Sequence, residues 1–205
     1  MKDFSQNGEQ QIILDYFKNH KGGYLDLGAN DGKTLSNTKA LHDLGWNGVC
    51  VEPSNEAFEK IKSSQPNAIG LNFAVSDTDG EIEFYESGTH LKNGDTSLLS
   101  TLKKSELNRW EGSDNHFNKT KCNSVSVPTL LSKLKLFFIG TYDFISIDIE
   151  GLDYDVLVQM NLKSLGCKML CIETNSIEDQ KYIDYCANFG MKVIHKNGEN
   201  LIFTV

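Results

Sequence analysis

Five short stretches carry residues whose types and spacing could do chemistry. The first is Asp26-Leu27-Gly28-Ala29-Asn30-Asp31-Gly32. Its two glycines bracket a turn in which backbone must approach a ligand or another strand closely. The glycines do not follow G-x-G-x-x-G, so the pyrophosphate fingerprint is missing. An acid at the end of the preceding strand would also repel a pyrophosphate. It would suit an amino group or a sulfonium, and S-adenosylmethionine carries both. The bland alternative is a structural turn with a capping Asp.

The second is Glu52, at the tip of the next apolar run. A carboxylate there can accept hydrogen bonds from both hydroxyls of a ribose. The third is Ser76-Asp77, where Asp77 could accept the amino hydrogen of an adenine or simply serve an Asp-Thr-Asp-Gly turn. The fourth is Asp148-x-Glu150-Gly151. Two acids two positions apart face one side while strand geometry lasts, at the strand end where α/β ligands bind. Burial would raise at least one pKa, so one could serve as general base. They could equally cap the next helix, or join Glu173 around a divalent cation. The spacing does not require a metal, and none is expected. A fifth stretch, Gly94-Asp95-Thr96-Ser97-Leu98, offers hydroxyls at Thr96 and Ser97 that could meet an acceptor.

These positions need strands to carry them. Tyr24 to Leu27 reads as a central strand, followed by a helix from Lys33 with Leu35, Ala40, Leu41 and Leu44 on one face and Gly45 as its cap. A helix with Ile12, Ile13, Tyr16 and Phe17 as its stripe precedes that strand and stops at Gly22-Gly23. Gly48 to Glu52 is a second strand ended by Pro53, and Ser54 is a natural N-cap for the helix after it. Ile69 to Val75 reads as a third strand and Glu81 to Tyr85 as a partly exposed one. Residues 87–121 are polar and long enough to suggest a lid or acceptor-binding insertion, with 98–107 helical. Pro128 suits the first turn of a helix running to Leu136. Tyr142 to Gly151 is a strong strand, Leu152 to Met160 a helix, Lys168 to Thr174 a strand, and Ile177 to Asn188 a helix stopped by Gly190. Asn197-Gly198 between two apolar runs predicts a closing hairpin. The result is one α/β domain over 1–205: a doubly wound, mostly parallel sheet whose last strand is antiparallel.

Composition excludes several classes. A net charge of −8 disfavours nucleic-acid backbone as partner. No apolar run reaches membrane-spanning length, and the first six residues have no apolar leader core. Cys50, Cys122, Cys167, Cys171 and Cys186 include no C-x-x-C pair, which points to a reducing cytoplasm.

The pieces together resemble a family. Ser5-Gln6-x-Gly8-Glu9, Tyr24 to Gly32, Ser36-Asn37-Thr38, Gly45-Trp46-x-Gly48, Val51-Glu52-Pro53, Ala74-Val75-Ser76-Asp77 and Ser146 to Gly151, in that order and spacing, are similar to FkbM-type methyltransferases. The resemblance implies the class I S-adenosylmethionine-dependent, Rossmann-like fold and O-methylation, often of a sugar hydroxyl in a glycan or natural product. It implies that Asp26, Gly28, Asn30 and Gly32 line the methionine end, that Glu52 holds ribose, that Asp77 meets adenine and that Asp148 lies beside the transferring methyl. Ala29, Asn37, Pro53 and Ser76 complete the expected cofactor contacts. Asp148 and Glu150 are the expected catalytic pair, with a small-molecule or glycan acceptor as partner. The rivals are a module of the same fold that binds the cofactor without turnover, and a nicotinamide-dependent oxidoreductase.

Overall fold

The computed structural model describes residues 2–91, 95–113, 115–138 and 140–205. Gly94 of the fifth stretch lies outside the described residues. The chain runs α1 (Glu9–Phe17), β1 (Gly23–Leu27), α2 (Lys39–Asp43), β2 (Asn47–Val51), α3 (Asn55–Ser64), β3 (Ile69–Leu71), β4 (Ala74–Ser76) and β5 (Gly80–Ser87). A 3-10 helix (Lys104–Trp110) follows, then β6 (Phe117–Ser126), α4 (Val127–Leu134), β7 (Phe144–Ile147), α5 (Asp153–Leu157), α6 (Leu162–Leu165), β8 (Met169–Glu173), α7 (Asp179–Ala187), β9 (Lys192–Lys196) and β10 (Asn200–Thr204).

The main sheet has the order β3-β2-β1-β7-β8-β10-β9. Its first five strands are parallel, and β10 runs antiparallel to both β8 and β9. The Asn197-Gly198 hairpin therefore inserts the last strand between β8 and β9, as the closing antiparallel strand requires. Side chains alternate across the pleat. Leu25, Leu27, Val49, Val51, Ile145 and Ile147 face α4 to α7, where Leu130, Val156 and Tyr182 meet them. Tyr24, Cys50, Phe144 and Met169 face the other layer, against Ile13, Phe17, Leu41 and Ile61. Asp26 shares that second face with Tyr24, which directs its carboxylate toward the turn before α2.

Several expectations are corrected. The helix expected from Lys33 starts only at Lys39. Leu35 has a positive φ of 53°, and Asp31 and Ser36 cap the chain in succession by accepting backbone N–H groups. These local side-chain bonds compete with a helical ladder. The expected strand Ile69 to Val75 is two strands: β3 stays in the main sheet, while β4 joins β5 and β6 in a second, three-stranded sheet. The polar segment ends earlier than expected, because Phe117 to Lys121 pair with β5 as the start of β6. Its helical part is the 3-10 turn over Lys104–Trp110, not 98–107. The strand over 142–151 is shorter, β7 ending at Ile147, and the helices over 127–136 and 152–160 stop at Leu134 and Leu157.

Among the described residues no helix is long and apolar enough to cross a membrane. All five cysteines are free thiols.

One cross-strand contact anchors the sheet centre. Tyr24 is fully buried opposite Gly48, and its hydroxyl donates to Gln65 Oε1 at 2.5 Å. A Cβ on Gly48 would fall 1.8 Å from the Tyr24 ring. Gly48→Ala is therefore expected to destabilise the fold by about 1–3 kcal/mol through overpacking. Urea unfolding should show a lower midpoint at unchanged slope. An unshifted midpoint would mean that the ring can move aside.

Candidate functional site

The tips of four neighbouring parallel strands deliver the acids. β1 leads into Gly28, β2 into Glu52, β7 into Asp148 and β8 ends on Glu173. Gly28 has φ 82°, and a Cβ on it would sit 1.7 Å from the Asp148 carbonyl oxygen. Only glycine permits this approach. The N–H groups of Gly28 and Ala29 both donate to the Val51 carbonyl, and Asp148 N–H donates to the Leu27 carbonyl. Three strand tips are thereby locked together by backbone alone.

Asn30, at φ 46°, is the second pivot. Its N–H donates to Glu52 Oε2 at 2.9 Å and its Nδ2 donates to the Thr96 carbonyl at 2.9 Å. Its Oδ1 is buried without a partner, as is Oδ1 of Asn37. Glu52 Oε1 accepts from Ser54 N–H at 2.8 Å. Burial pushes the Glu52 carboxyl up to about 7, against the pull of these two N–H groups. Asp26 accepts from Thr38 Oγ1 at 2.5 Å, and its burial lifts it to about 6.

The loop after β7 is built around a residue that the sequence did not single out. Asp153 accepts from the Ile149 and Gly151 N–H groups, both at 3.0 Å. This carboxylate cradle holds Glu150 at φ 56°. Asp148, Glu150 and Glu173 then place one oxygen each within 4.8 Å of one another. All three carboxyls are raised, first by burial and then by one another or by Asp153. The facing cation is Arg109, whose Nη1 lies 3.0 Å from Glu106 and 3.7 Å from Glu150 Oε2.

The polar segment covers this arrangement. Thr101 bridges to Tyr85 and donates its hydroxyl to the Glu150 carbonyl at 2.6 Å. Lys103 Nζ donates to the Gly151 carbonyl at 3.1 Å. His90 meets Trp110 edge-on, with ring centroids 5.2 Å apart. Ser97 donates to Ser54 Oγ and Glu86 Oε1, so its hydroxyl is engaged in holding the segment down. Thr96 contributes its carbonyl to Asn30.

Two adjoining lobes result. The inner one is lined by Gly28, Glu52, Pro53, Phe73, Val75 and Phe84. The outer one is lined by Asp26, Ala29, Asn37, His90, Trp110 and Glu173. Gly28, Asn30, Leu98, Asp148 and Glu150 line both. The inner lobe joins apolar walls to the Glu52 carboxylate and so suits a nucleoside, with the base among Phe73, Val75 and Phe84 and the ribose on Glu52. The unpartnered carbonyls of Asn30 and Asn37, with Asp26, suit an ammonium beside it. The residues present therefore fit S-adenosylmethionine.

Three expected contacts lie elsewhere. Gly32 faces Ser64 and Gln65, and its carbonyl accepts from Gln65 Nε2. Ser76 is tied to Ser124 at 2.7 Å, and Asp77 is exposed, because β4 turns away into the second sheet. Neither lines a lobe. Phe73 and Phe84 line the inner chamber in their place. The aromatic pair was visible in sequence only as part of two strands. Thr101 and Arg109 had no motif to mark them.

Asp26 and Glu52 hold their protons more tightly folded than unfolded, so their burial costs least at low pH. That cost grows as pH rises from the ordinary carboxylate range through about 7. The ligand-free protein should thus melt lower at pH 8 than at pH 5.5, at about 2–4 °C per kcal/mol for a chain of this size. Glu52→Gln should shrink the difference. Thermal melts at both pH values check this, and a higher melting temperature at pH 8 would contradict it.

The comparisons agree with this geometry. The sequence model of the methyltransferase FkbM domain matches residues 26–192. No curated protein matches the chain in sequence. Among solved structures, a ribosomal protein L11 methylase from Lactobacillus delbrueckii subsp. bulgaricus is similar at TM-score 0.51 and 9% identity, over 96% of this chain and 76% of that one. An O-methyltransferase from Bacillus cereus in complex with SAH is similar at 0.51 and 11%, over 98% and 81%. A precorrin 8w decarboxylase from Methanobacterium thermoautotrophicum is similar at 0.52 and 11%, over 100% and 92%. At these identities the likeness shows a shared fold. With the family model covering most of its length, the chain belongs to the FkbM methyltransferases, S-adenosylmethionine-dependent proteins of the class I fold.

Proposed function

We propose that this protein transfers a methyl group to a hydroxyl of a sugar, glycan or related polyhydroxy small molecule. The observation that carries this reading is the pair Asp148 and Glu150, set against Gly28 where the two lobes meet. The bound donor supplies an electrophilic methyl on a positively charged sulfur. Everything else is the work of the chain. Glu52 and the Phe73–Phe84 chamber fix the nucleoside, while Asp26, Asn30 and Asn37 fix the amino-acid end. The wall between the lobes brings donor and acceptor to near-attack distance, the largest contribution open to such an enzyme. Burial raises both Asp148 and Glu150, which suits either to take a hydroxyl proton near neutral pH. Residues 95–113 serve as lid, and the bonds of the Thr96 carbonyl and the Thr101 hydroxyl let them exclude water during transfer.

The polar outer lobe supports a hydroxylated acceptor. His90 and Trp110 offer ring faces and edges, and Glu150, Glu173 and Asn175 offer hydrogen-bond acceptors to sugar hydroxyls. A lobe with this many acids does not suit a phosphorylated one.

Calorimetric titration with S-adenosylhomocysteine and NADH, and transfer of labelled methyl to a panel of free and nucleotide-free sugars, test the reading. Binding of the first ligand alone and an alkali-stable labelled ether are expected. Glu52→Ala should weaken cofactor binding at least about tenfold, or about 1.4 kcal/mol. Asp148→Asn should lose far more turnover than binding. The reverse pattern would exchange the two roles, and label appearing only on amines would overturn O-transfer.

A further inference from the structure

We propose that Asp148, Glu150 and Glu173 hold one hard divalent cation on the wall of the outer lobe. Each residue offers one carboxylate oxygen, and these oxygens all lie within 4.8 Å of one another. A second observation points the same way. Glu173 is only 7% exposed, and its Oε2 is buried with no hydrogen-bond partner. Glu173 itself supplies one of the cluster oxygens from the end of β8. A buried carboxylate oxygen without a donor is costly, so this atom calls for an electropositive partner.

The donor set decides the class of ion. Three carboxylates with no sulfur or imidazole select Mg²⁺, Ca²⁺ or Mn²⁺. Oxygens within 4.8 Å of one another can share one such ion, whose bonds to oxygen run about 2.0–2.6 Å, and water or acceptor oxygens would complete the shell from the open lobe.

Arg109 does not fill this place. Its guanidinium is hydrogen-bonded to Glu106 and stands 3.7 Å from Glu150 alone of the three. A metal here would also ligate an acceptor hydroxyl entering the outer lobe and make it more acidic. That consequence rests on the methyl-transfer reading; ion binding itself does not.

The test uses the full chain, stripped of metal by chelation. MnCl2 is added while the signal of free Mn²⁺ is followed by electron paramagnetic resonance, and S-adenosylhomocysteine is titrated separately by calorimetry without metal. One Mn²⁺ per chain is expected, with binding weakened at least about tenfold in Glu173→Gln and in Asp148→Asn. Circular dichroism melts identify a variant that fails to fold, in which case the other variant and the wild-type stoichiometry decide. Absence of saturable binding by about 1 mM free ion, or binding untouched by both substitutions, would overturn the site. If the nucleoside binds and Mn²⁺ does not, the cation fails and the donor reading stands. If Mn²⁺ binds and the nucleoside does not, the donor reading fails and the cation site stands.

Discussion

Like charges crowded at the strand tips govern this molecule. Asp26, Glu52, Asp148, Glu150 and Glu173 converge on one cleft, and Asp153 lies just behind them. In water such groups would all be ionised and apart. Here the parallel sheet delivers them to one end, because consecutive strands β2, β1, β7 and β8 all finish there. Burial raises every one of them, and repulsion between neighbouring acids adds to it for Glu52, Asp148, Glu150 and Glu173. A cleft of this sign selects its contents. It repels the pyrophosphate of a dinucleotide and favours an ammonium or a sulfonium.

What keeps the acids in place is backbone. Gly28 rests against the Asp148 carbonyl at a distance no other residue permits, and the Val51 carbonyl takes two N–H groups from the turn. Asp153 spends both of its oxygens on the loop that carries Glu150. The covering segment then grips both loops, through the Thr96 carbonyl on one side and the Thr101 hydroxyl on the other. Lifting it would release Asn30 and the Glu150 loop together, which couples access to the cleft with the order of its walls.

Much of this was legible in sequence where the signal is local. Strand ends marked by Asp26-Leu27-Gly28, Val51-Glu52-Pro53 and Ile147-Asp148 follow from apolar runs stopped by an acid and a turn residue. The Asn197-Gly198 hairpin follows from its turn residues, Asn197 Oδ1 closing the turn by accepting the Glu199 and Asn200 N–H groups, and Ser54 caps α3 as its type predicts. Failures came where tertiary contacts decide. Leu35 belongs to a helical pattern, yet capping by Asp31 and Ser36 delays the helix until Lys39. The run 69–75 is apolar throughout, and nothing in it reveals that β3 and β4 pair with different sheets. Asp77 follows β4, which pairs in the second sheet, and so lies outside the lining of both lobes. Thr101 and Arg109 reach the cleft from a polar stretch whose composition resembles any solvated loop.

We take this acidic cleft to hold an adenosyl donor with its sulfur facing Asp148. A crystal structure of the protein with S-adenosylhomocysteine should show ribose hydroxyls within hydrogen-bonding distance of Glu52, the base between Phe73 and Phe84, and the amino group near Asp26 and the Asn30 side-chain carbonyl. A ligand seated outside the two lobes, or turned with its base toward Asp148, would contradict it.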